Sequence, residues 1–318
     1  FFHITTRCNL KCAHCYINPA QHGDNTLPAA TAGRWLSFFQ KPGKAANLIL
    51  LGGEPTLHPE LAKIVSAARQ MGYGSVTIDT NGYLFHDILD QVTPEDVDYF
   101  SFSLDGATPA TNDQIRGAGC YAACTRGIRR AVEKGFGVSV IYTVSRKNLH
   151  ELADMPEVLS DLGVHRFFIQ VIGIRGRSAQ AGGDALQLTR QQWEQNVPPV
   201  AQRVAKSGIA VTYPKVFLET DEIFECAGRV AENYFIFPNG RVYQCPLCED
   251  FSLHSFQITD QGLLPAPKIN ETDLFSLDIA EGCVINKLVQ GGNIDYDHQG
   301  RPRWKIACCL LKEEIPAD

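Results

Sequence analysis

No stretch of this 318-residue chain approaches the roughly 20 consecutive apolar residues that a membrane-spanning helix requires, so no membrane partner is expected. Runs of lysine and arginine are also missing. With a formal net charge of −6, a nucleic-acid partner has no electrostatic support. No secretion leader precedes residue 1, and a cytoplasmic location follows as the expectation. The numbering opens directly on an apparent strand, FFHITT, which leaves open whether residues upstream of Phe1 are missing. The nine histidines contain no HExxH pair, so the metalloprotease helix is absent. What remains, 44% hydrophobic and 20% charged, is the profile of a globular protein of one large domain, or of a large domain with a smaller companion.

Cysteine is the residue in excess. Eleven occur, in three groups: Cys8, Cys12 and Cys15; Cys120 and Cys124; then Cys226, Cys245, Cys248, Cys283, Cys308 and Cys309. An odd count, the absent leader and a chain too large to need staples argue against a disulfide framework. Metal ligation in a reducing compartment is the reading taken here. Cys120 and Cys124, at i and i+4 near a helix start, read as small buried hydrophobes.

Apolar runs alternate with helical patterns along the first two thirds of the chain. FFHIT, ANLILLGG, GSVTIDTNG, VDYFSFSLDG, FGVSVIYTV and VHRFFIQVIG read as strands. Between them LAKIVSAARQMG, CTRGIRRAVEKG and LADMPEVLSDLG read as helices ending in glycine. Six β–α units in series predict an α/β fold, a partial (β/α)6 TIM-like barrel over residues 1–215. In barrels of this type chemistry sits at the C-terminal strand ends, where the polar residues fall.

The opening loop, RCNLKCAHCY, carries three thiols spaced four and three positions apart. Three thiolates leave a four-coordinate zinc site unclosed. A [4Fe–4S] cube normally takes four, so three leave one iron open. The C-x3-C-x2-C spacing of Cys8, Cys12 and Cys15, followed by Tyr16, resembles the signature of the radical S-adenosylmethionine (SAM) enzymes. Supporting motifs follow in order: GGEP at 52–55, SLDG at 103–106 and IRG at 115–117.

The resemblance implies that SAM itself completes the [4Fe–4S] cluster. It also implies reductive cleavage to a 5′-deoxyadenosyl radical and abstraction of a hydrogen atom from a substrate carbon. Gly52 and Gly53 would let a ligand approach the backbone, and Glu54 would hold the methionyl ammonium of SAM. Asn81, Ser103 and Asp105 resemble ribose-contacting positions. Arg116 resembles the arginine that pairs with the methionyl carboxylate, and Gly173 the point where the adenine edge approaches. A reducing partner such as flavodoxin or ferredoxin is implied as well. His14, inside the loop, is expected to pack near the cluster without binding iron.

Residues 216–318 read as a small α+β domain. A hairpin, YFIF–PNG–RVYQC, is flanked by Cys226 and Cys245, with Gly240 five residues before Cys245. This C-x13-G-x4-C spacing resembles the opening of a SPASM/Twitch auxiliary-cluster domain, although the rest of the SPASM cysteine pattern is missing. The resemblance implies one auxiliary Fe–S cluster, of [4Fe–4S] type, on Cys226, Cys245, Cys283 and Cys308. Adjacent Cys308 and Cys309 are expected to diverge, so that only one of them binds. Thiolates alone do not separate zinc from iron–sulfur, so a structural zinc stays open. Cys248 stays open between a ligand, as part of CPLC, and a free thiol that returns a hydrogen atom to a substrate radical.

A peptide, in a maturase or epimerase reaction, is the expected substrate, because auxiliary-cluster domains often accompany peptide maturation; a small natural-product or cofactor precursor is the alternative. An Fe–S electron carrier or scaffold without SAM turnover is the alternative of another class. The GGE motif and Arg116 argue against it, since a carrier needs no SAM pocket.

Overall fold

The computed structural model describes residues 1–180, 186–266 and 268–317. Seven strands run parallel in sequence order: β1 Phe2–Thr5, β2 Asn47–Gly52, β3 Ser75–Thr80, β4 Tyr99–Ser103, β5 Val138–Val144, β6 Arg166–Val171 and β7 Ala210–Pro214. Helices Ala29–Ser37, Leu61–Gln70, Cys120–Glu133, Met155–Asp161 and Arg190–Lys206 lie in the connections. Each buries an apolar stripe: Ile64, Val65 and Ala68 on one, Val197, Ala201 and Val204 on another. The expected partial barrel is therefore present.

It has one more parallel strand than the six units read from the sequence. β7 is short, and the helix before it carries Pro198 and Pro199, residues that ordinarily end a helix because each lacks an N–H.

Strand alternation positions the interior. In β3 the burial alternates residue by residue, with Val76, Ile78 and Thr80 fully packed under the helices. Thr77 and Asp79 consequently face the opposite way, into the barrel.

The second part of the chain is built of short strands: β8 Phe217–Leu218, β9 Phe235–Ile236, β10 Arg241–Tyr243, β11 Phe256–Thr259, β12 Gly262–Pro265, β13 Lys305–Ile306 and β14 Lys312–Ile315. The expected hairpin is β9–β10, with Val242 opposite Ile236. A boundary after residue 215 falls just past β7, yet both parts share one sheet. β9 pairs with β1 through Ile236 and Phe2, and β14 pairs antiparallel with β7. The strand order is β12-β11-β10-β9-β1-β2-β3-β4-β5-β6-β7-β14, so later strands cover both edges of the parallel set. A second core of Phe235, Phe237, Tyr243, Leu247 and Ile285 packs against Phe1, Tyr16 and Ile17. No helix among the described residues is long and apolar enough to cross a membrane.

His22 fastens the start of the chain to this second part. Its ring is fully buried, stacks on Phe237 at 3.9 Å, accepts from the Asn18 N–H at 3.0 Å, and donates from Nε2 to the Glu249 carbonyl at 2.9 Å. Burial lowers its pKa to about 4. Between pH 6.5 and 4 the unfolded chain takes up a proton that the folded chain refuses. Stability should therefore fall as pH drops through that window, by about 3 kcal/mol for a shift of this size. Denaturant titrations at pH 7 and pH 4.5 should show this loss in the wild type and a smaller one in His22→Gln.

Candidate active site

The three-thiol loop leaves the C-terminal end of β1 and is held mainly by backbone bonds. Gly53 N–H donates to Thr5 O at 2.9 Å and Glu54 N–H to Arg7 O at 2.9 Å, tying the loop's first residues to the end of β2. Ala13 N–H donates to Ile115 O at 2.8 Å, and Arg177 N–H to Cys15 O at 2.9 Å. The Arg177 guanidinium donates to Cys12 O at 3.1 Å. Gly176, in the turn before Arg177, carries no sequence signal that would single it out. A Cβ there would lie 2.5 Å from Cys15 O, so only glycine lets this turn close on the loop.

Gly52 and Gly53 are required by the chain's own backbone. Cβ atoms at these positions would stand 2.2 Å from Thr5 O and 2.3 Å from Arg7 O. The close neighbour is the strand end that carries the cysteines.

The Glu54 carboxylate is 0% exposed and accepts from its own chain: Thr56 N–H at 3.1 Å, Thr56 Oγ1 at 2.6 Å, Thr80 Oγ1 at 2.8 Å and Asn81 N–H at 2.7 Å. Burial raises its pKa and these donors oppose the rise. The carboxylate joins the ends of β2 and β3, with three of these donors on Oε1 and one on Oε2. Glu54→Gln replaces one acceptor oxygen with an N–H2 facing donors. Bonds to a charged group are worth about 1.5–3 kcal/mol, and a loss of that size is expected in urea unfolding. A tenfold fall in SAM affinity at unchanged stability would instead support the ammonium-partner role.

Asp105 and Arg116 meet each other. Arg116 Nε lies 2.6 Å from Asp105 Oδ2, His14 Nε2 lies 3.3 Å from the same oxygen, and Thr143 N–H donates to Oδ1 at 2.7 Å. Asp105 is 0% exposed and Arg116 buried. The ribose contact expected of Asp105 and the methionyl-carboxylate contact expected of Arg116 thus give way to a buried ion pair. The other face of Arg116 reaches the loop, with Nη1 4.0 Å from Cys12 Sγ. Asn81 is bonded to the loop as well, from Nδ2 to Asn9 Oδ1 at 2.8 Å, with the same nitrogen 4.0 Å from Cys8 Sγ. Ser103 is half-buried at the end of β4. Cys124 donates to its carbonyl at 3.5 Å and is buried with Cys120, as expected of small hydrophobes.

Inside the barrel lies a cavity of about 350 Å3. Tyr16, the residue after Cys15, forms part of its wall, as do Gly173 from β6's outgoing turn and Cys309 from the second part. Tyr16 donates its hydroxyl to His3 Nε2 at 2.8 Å, because His3 Nδ1–H is engaged by Ile236 O at 3.0 Å. The Arg175 guanidinium lies over the Tyr16 ring, 4.6 Å from its centroid, and pairs with Glu249. The walls are mainly apolar, with Ile49, Leu51, Ile141 and Phe168 among them. Asp79 and Lys312 also line them. Burial pushes the Asp79 carboxyl up to about 7 and the Lys312 ammonium down to about 8.

The sequence reading missed both. The alternation of β3 is sufficient to send Asp79 inward with Thr77. No sequence signal marks Lys312, which reaches the cavity because β14 pairs with β7.

The late cysteines gather on the far side of this cavity. Cys245 and Cys248 are hydrogen-bonding neighbours, Cys283 is within electrostatic reach of Cys245 and Cys308, and Cys226 of Cys308. Cys308 and Cys309 do not diverge as expected, because each thiol acts on the other's charge at close range. Cys248 is 1% exposed, packed with Phe237, Leu247 and Cys283, and is not part of the cavity wall. The turn Pro246–Cys248, closed by Cys248 N–H on Cys245 O at 3.1 Å, keeps its thiol beside Cys245. A hydrogen donor to a substrate must face the substrate, so that role is withdrawn for Cys248 and the ligand alternative remains.

All eleven cysteines are free thiols. Among the described residues no three Cys, His, Asp or Glu side chains converge on a point as a single ion requires. A cubane spreads its cysteine ligands over separate corner irons, so a trio set apart on one loop suits it better than it suits zinc.

A three-thiol loop at the mouth of a parallel partial barrel, opening on a closed interior, defines a cluster-bearing barrel enzyme. The model of the Radical SAM superfamily matches residues 2–173, more than half the chain, and the chain belongs to that superfamily, whose members use a [4Fe–4S] cluster and SAM. Among its relatives are a pre-heme d1 synthase of Dinoroseobacter shibae, 32% identical over 58% of this chain and 45% of that protein, and an Fe-coproporphyrin III synthase of Methanosarcina barkeri, 27% identical over 64% and 51%. The chain spans about half the length of these relatives. The fold is shared with Streptococcus suis SuiB bound to SAM, at TM-score 0.59 and 15% identity over 92% of this chain and 65% of SuiB. It is shared also with anSMEcpe with bound AdoMet, at TM-score 0.59 and 13% identity over 86% and 74%.

Proposed function

We propose that this chain removes a hydrogen atom from a carbon of a small organic substrate held in the barrel cavity. The observation that carries the reading is the cavity's position: Tyr16 joins its wall directly to the three-thiol loop. When bound, the [4Fe–4S] cluster and SAM supply a one-electron reductive cleavage that yields a 5′-deoxyadenosyl radical. Cys8, Cys12 and Cys15 would hold the cluster. The backbone at Gly52 and Gly53, with Asn81, Ser103 and Gly173, would border SAM. Burial raises the Cys12 pKa, and the Arg116 guanidinium beside it opposes that rise. The apolar walls exclude water from the reacting carbon. The Tyr16–His3 bond and the Arg175 guanidinium fix the ring that separates loop from cavity.

We assign a second, auxiliary Fe–S cluster to the late cysteines. Cys226, Cys245, Cys283 and Cys308 form the first set, with Cys248 as the competing ligand. Their gathering around one short turn supports this.

A small-molecule substrate is favoured by the cavity's size and by the sequence relatives, which are named for tetrapyrrole and GTP chemistry. A peptide substrate is the second reading. It is favoured by fold neighbours solved with peptides, SuiB with its precursor SuiA and anSMEcpe with the Kp18Cys peptide. Anaerobic reconstitution, reduction by dithionite or a flavodoxin or ferredoxin, and addition of SAM should yield 5′-deoxyadenosine. Full iron loading without any 5′-deoxyadenosine would return the protein to the electron-carrier class.

A further inference from the structure

The cavity contains two charged groups that the mechanism above leaves unused. Asp79 stands on β3 with Ser101, its register partner on β4, beside it. Lys312 enters from β14, five strands away in the sheet, and its ammonium lies 3.7 Å from the centroid of Phe168. Among the described residues Glu249 is committed to Arg175, the Phe1 ammonium donates to Tyr234 O at 2.9 Å, and Arg166, like Lys312, meets an aromatic face, its guanidinium 4.5 Å from the Tyr99 centroid. Asp79 and Lys312 act on each other's charge; Asp79 also has Ser101 and the Phe1 ammonium near it, and Lys312 has Cys309.

A carboxylate and an ammonium held apart in an apolar enclosure are each costly unless a ligand brings the opposite charge. Between them the wall is Ile141, Phe168 and Thr212, which suits a hydrocarbon segment. A polycarboxylate would set like charge against Asp79, and a simple amine would leave Lys312 unanswered.

We propose that the cavity selects an amphoteric small molecule, with a protonated amine against Asp79, a carboxylate against Lys312 and an apolar segment between them. This rests on the radical SAM reading and narrows its substrate to amino-acid-like compounds. Asp79 and Lys312 act as substrate-binding residues, and neither belongs to the cysteine loops.

Calorimetric titration of the reconstituted protein tests it with defined probes: 6-aminohexanoate and 8-aminooctanoate against hexylamine, octylamine, hexanoate and hexanedioate. At least one amino acid should bind about tenfold tighter than the singly charged probes of its own length, since each charge-assisted contact contributes separately. Asp79→Asn should erase the advantage over the acid, and Lys312→Met the advantage over the amine. Hexanedioate should bind no better than hexanoate. Equal binding of single-charge probes, no binding of either amino acid, or a preference surviving in both variants would overturn the proposal. Substrate-free SAM cleavage by the same samples separates the two claims. If 5′-deoxyadenosine forms while the charge preference is absent, only the substrate assignment fails. If none forms, the radical reading fails whatever the probes do.

Discussion

Replacing Cys8, Cys12 and Cys15 together by alanine is expected to abolish SAM cleavage outright and to leave the protein folded with its second group of cysteines intact. The thiols contribute little to stability as packing groups. Cys8 is exposed and the other two are half-buried. The loop's course is set by backbone bonds to Arg7, Ile115 and Arg177 that alanine retains. What alanine removes is the ligand set, because thiolate is the species that binds iron. Iron should fall by about four atoms per chain, one cubane, with 5′-deoxyadenosine below detection. The remaining iron should stay with Cys226, Cys245, Cys283 and Cys308, on the far side of the barrel cavity. Iron analysis and product assay on one preparation read both outcomes. Iron falling to zero would mean that the late cysteines hold no cluster of their own. Iron unchanged would mean that the early loop holds none.

The parts of this molecule legible in its sequence are those decided by local periodicity and spacing. β3 shows its two faces in the pattern SVTIDT, and the hairpin β9–β10 is marked by PNG, whose Gly240 takes φ of 84°. The residues Gly52, Gly53, Glu54, Asp105 and Arg116 were also findable by order along the chain, and all lie near the loop that carries the thiols. Their partners were not. Whether a polar group at a strand end turns outward to a ligand or inward to another strand end depends on approach between segments far apart in sequence. Arg116 meets Asp105 eleven residues away and Cys12 104 residues away, and neither spacing is periodic. Lys312 is the extreme case. Its place in the cavity follows from the pairing of β14 with β7, a contact without any local signature. Cys248 was undecidable from CPLC alone, because the same turn serves a ligand or a free thiol. Burial beside Cys245 and Cys283 keeps its thiol out of the cavity wall.

The Asp105–Arg116 pair carries the second large effect. Removing one partner from a buried ion pair leaves an uncompensated charge, at a cost of about 3–5 kcal/mol. Arg116→Gln should therefore lower the unfolding free energy by that amount, read from guanidinium chloride midpoints. Asp105 then retains only the Thr143 N–H and His14, whose own pKa is lowered by burial and which supplies no full charge near neutral pH. Asp105→Asn should cost a similar amount by stranding the guanidinium. Because the two losses share one cause, the double variant should be less destabilised than the sum, with a coupling of about 1–3 kcal/mol. The variant also withdraws the guanidinium from beside Cys12, so cluster loading on the early loop should weaken while the late cysteines keep theirs. The resemblance-based role predicts something else. An arginine that held the methionyl carboxylate would, on substitution, lose SAM affinity about tenfold with stability and iron content unchanged. Measuring unfolding, iron and SAM binding on Arg116→Gln alone distinguishes the two roles, and additivity in the double variant would remove the ion pair as the cause.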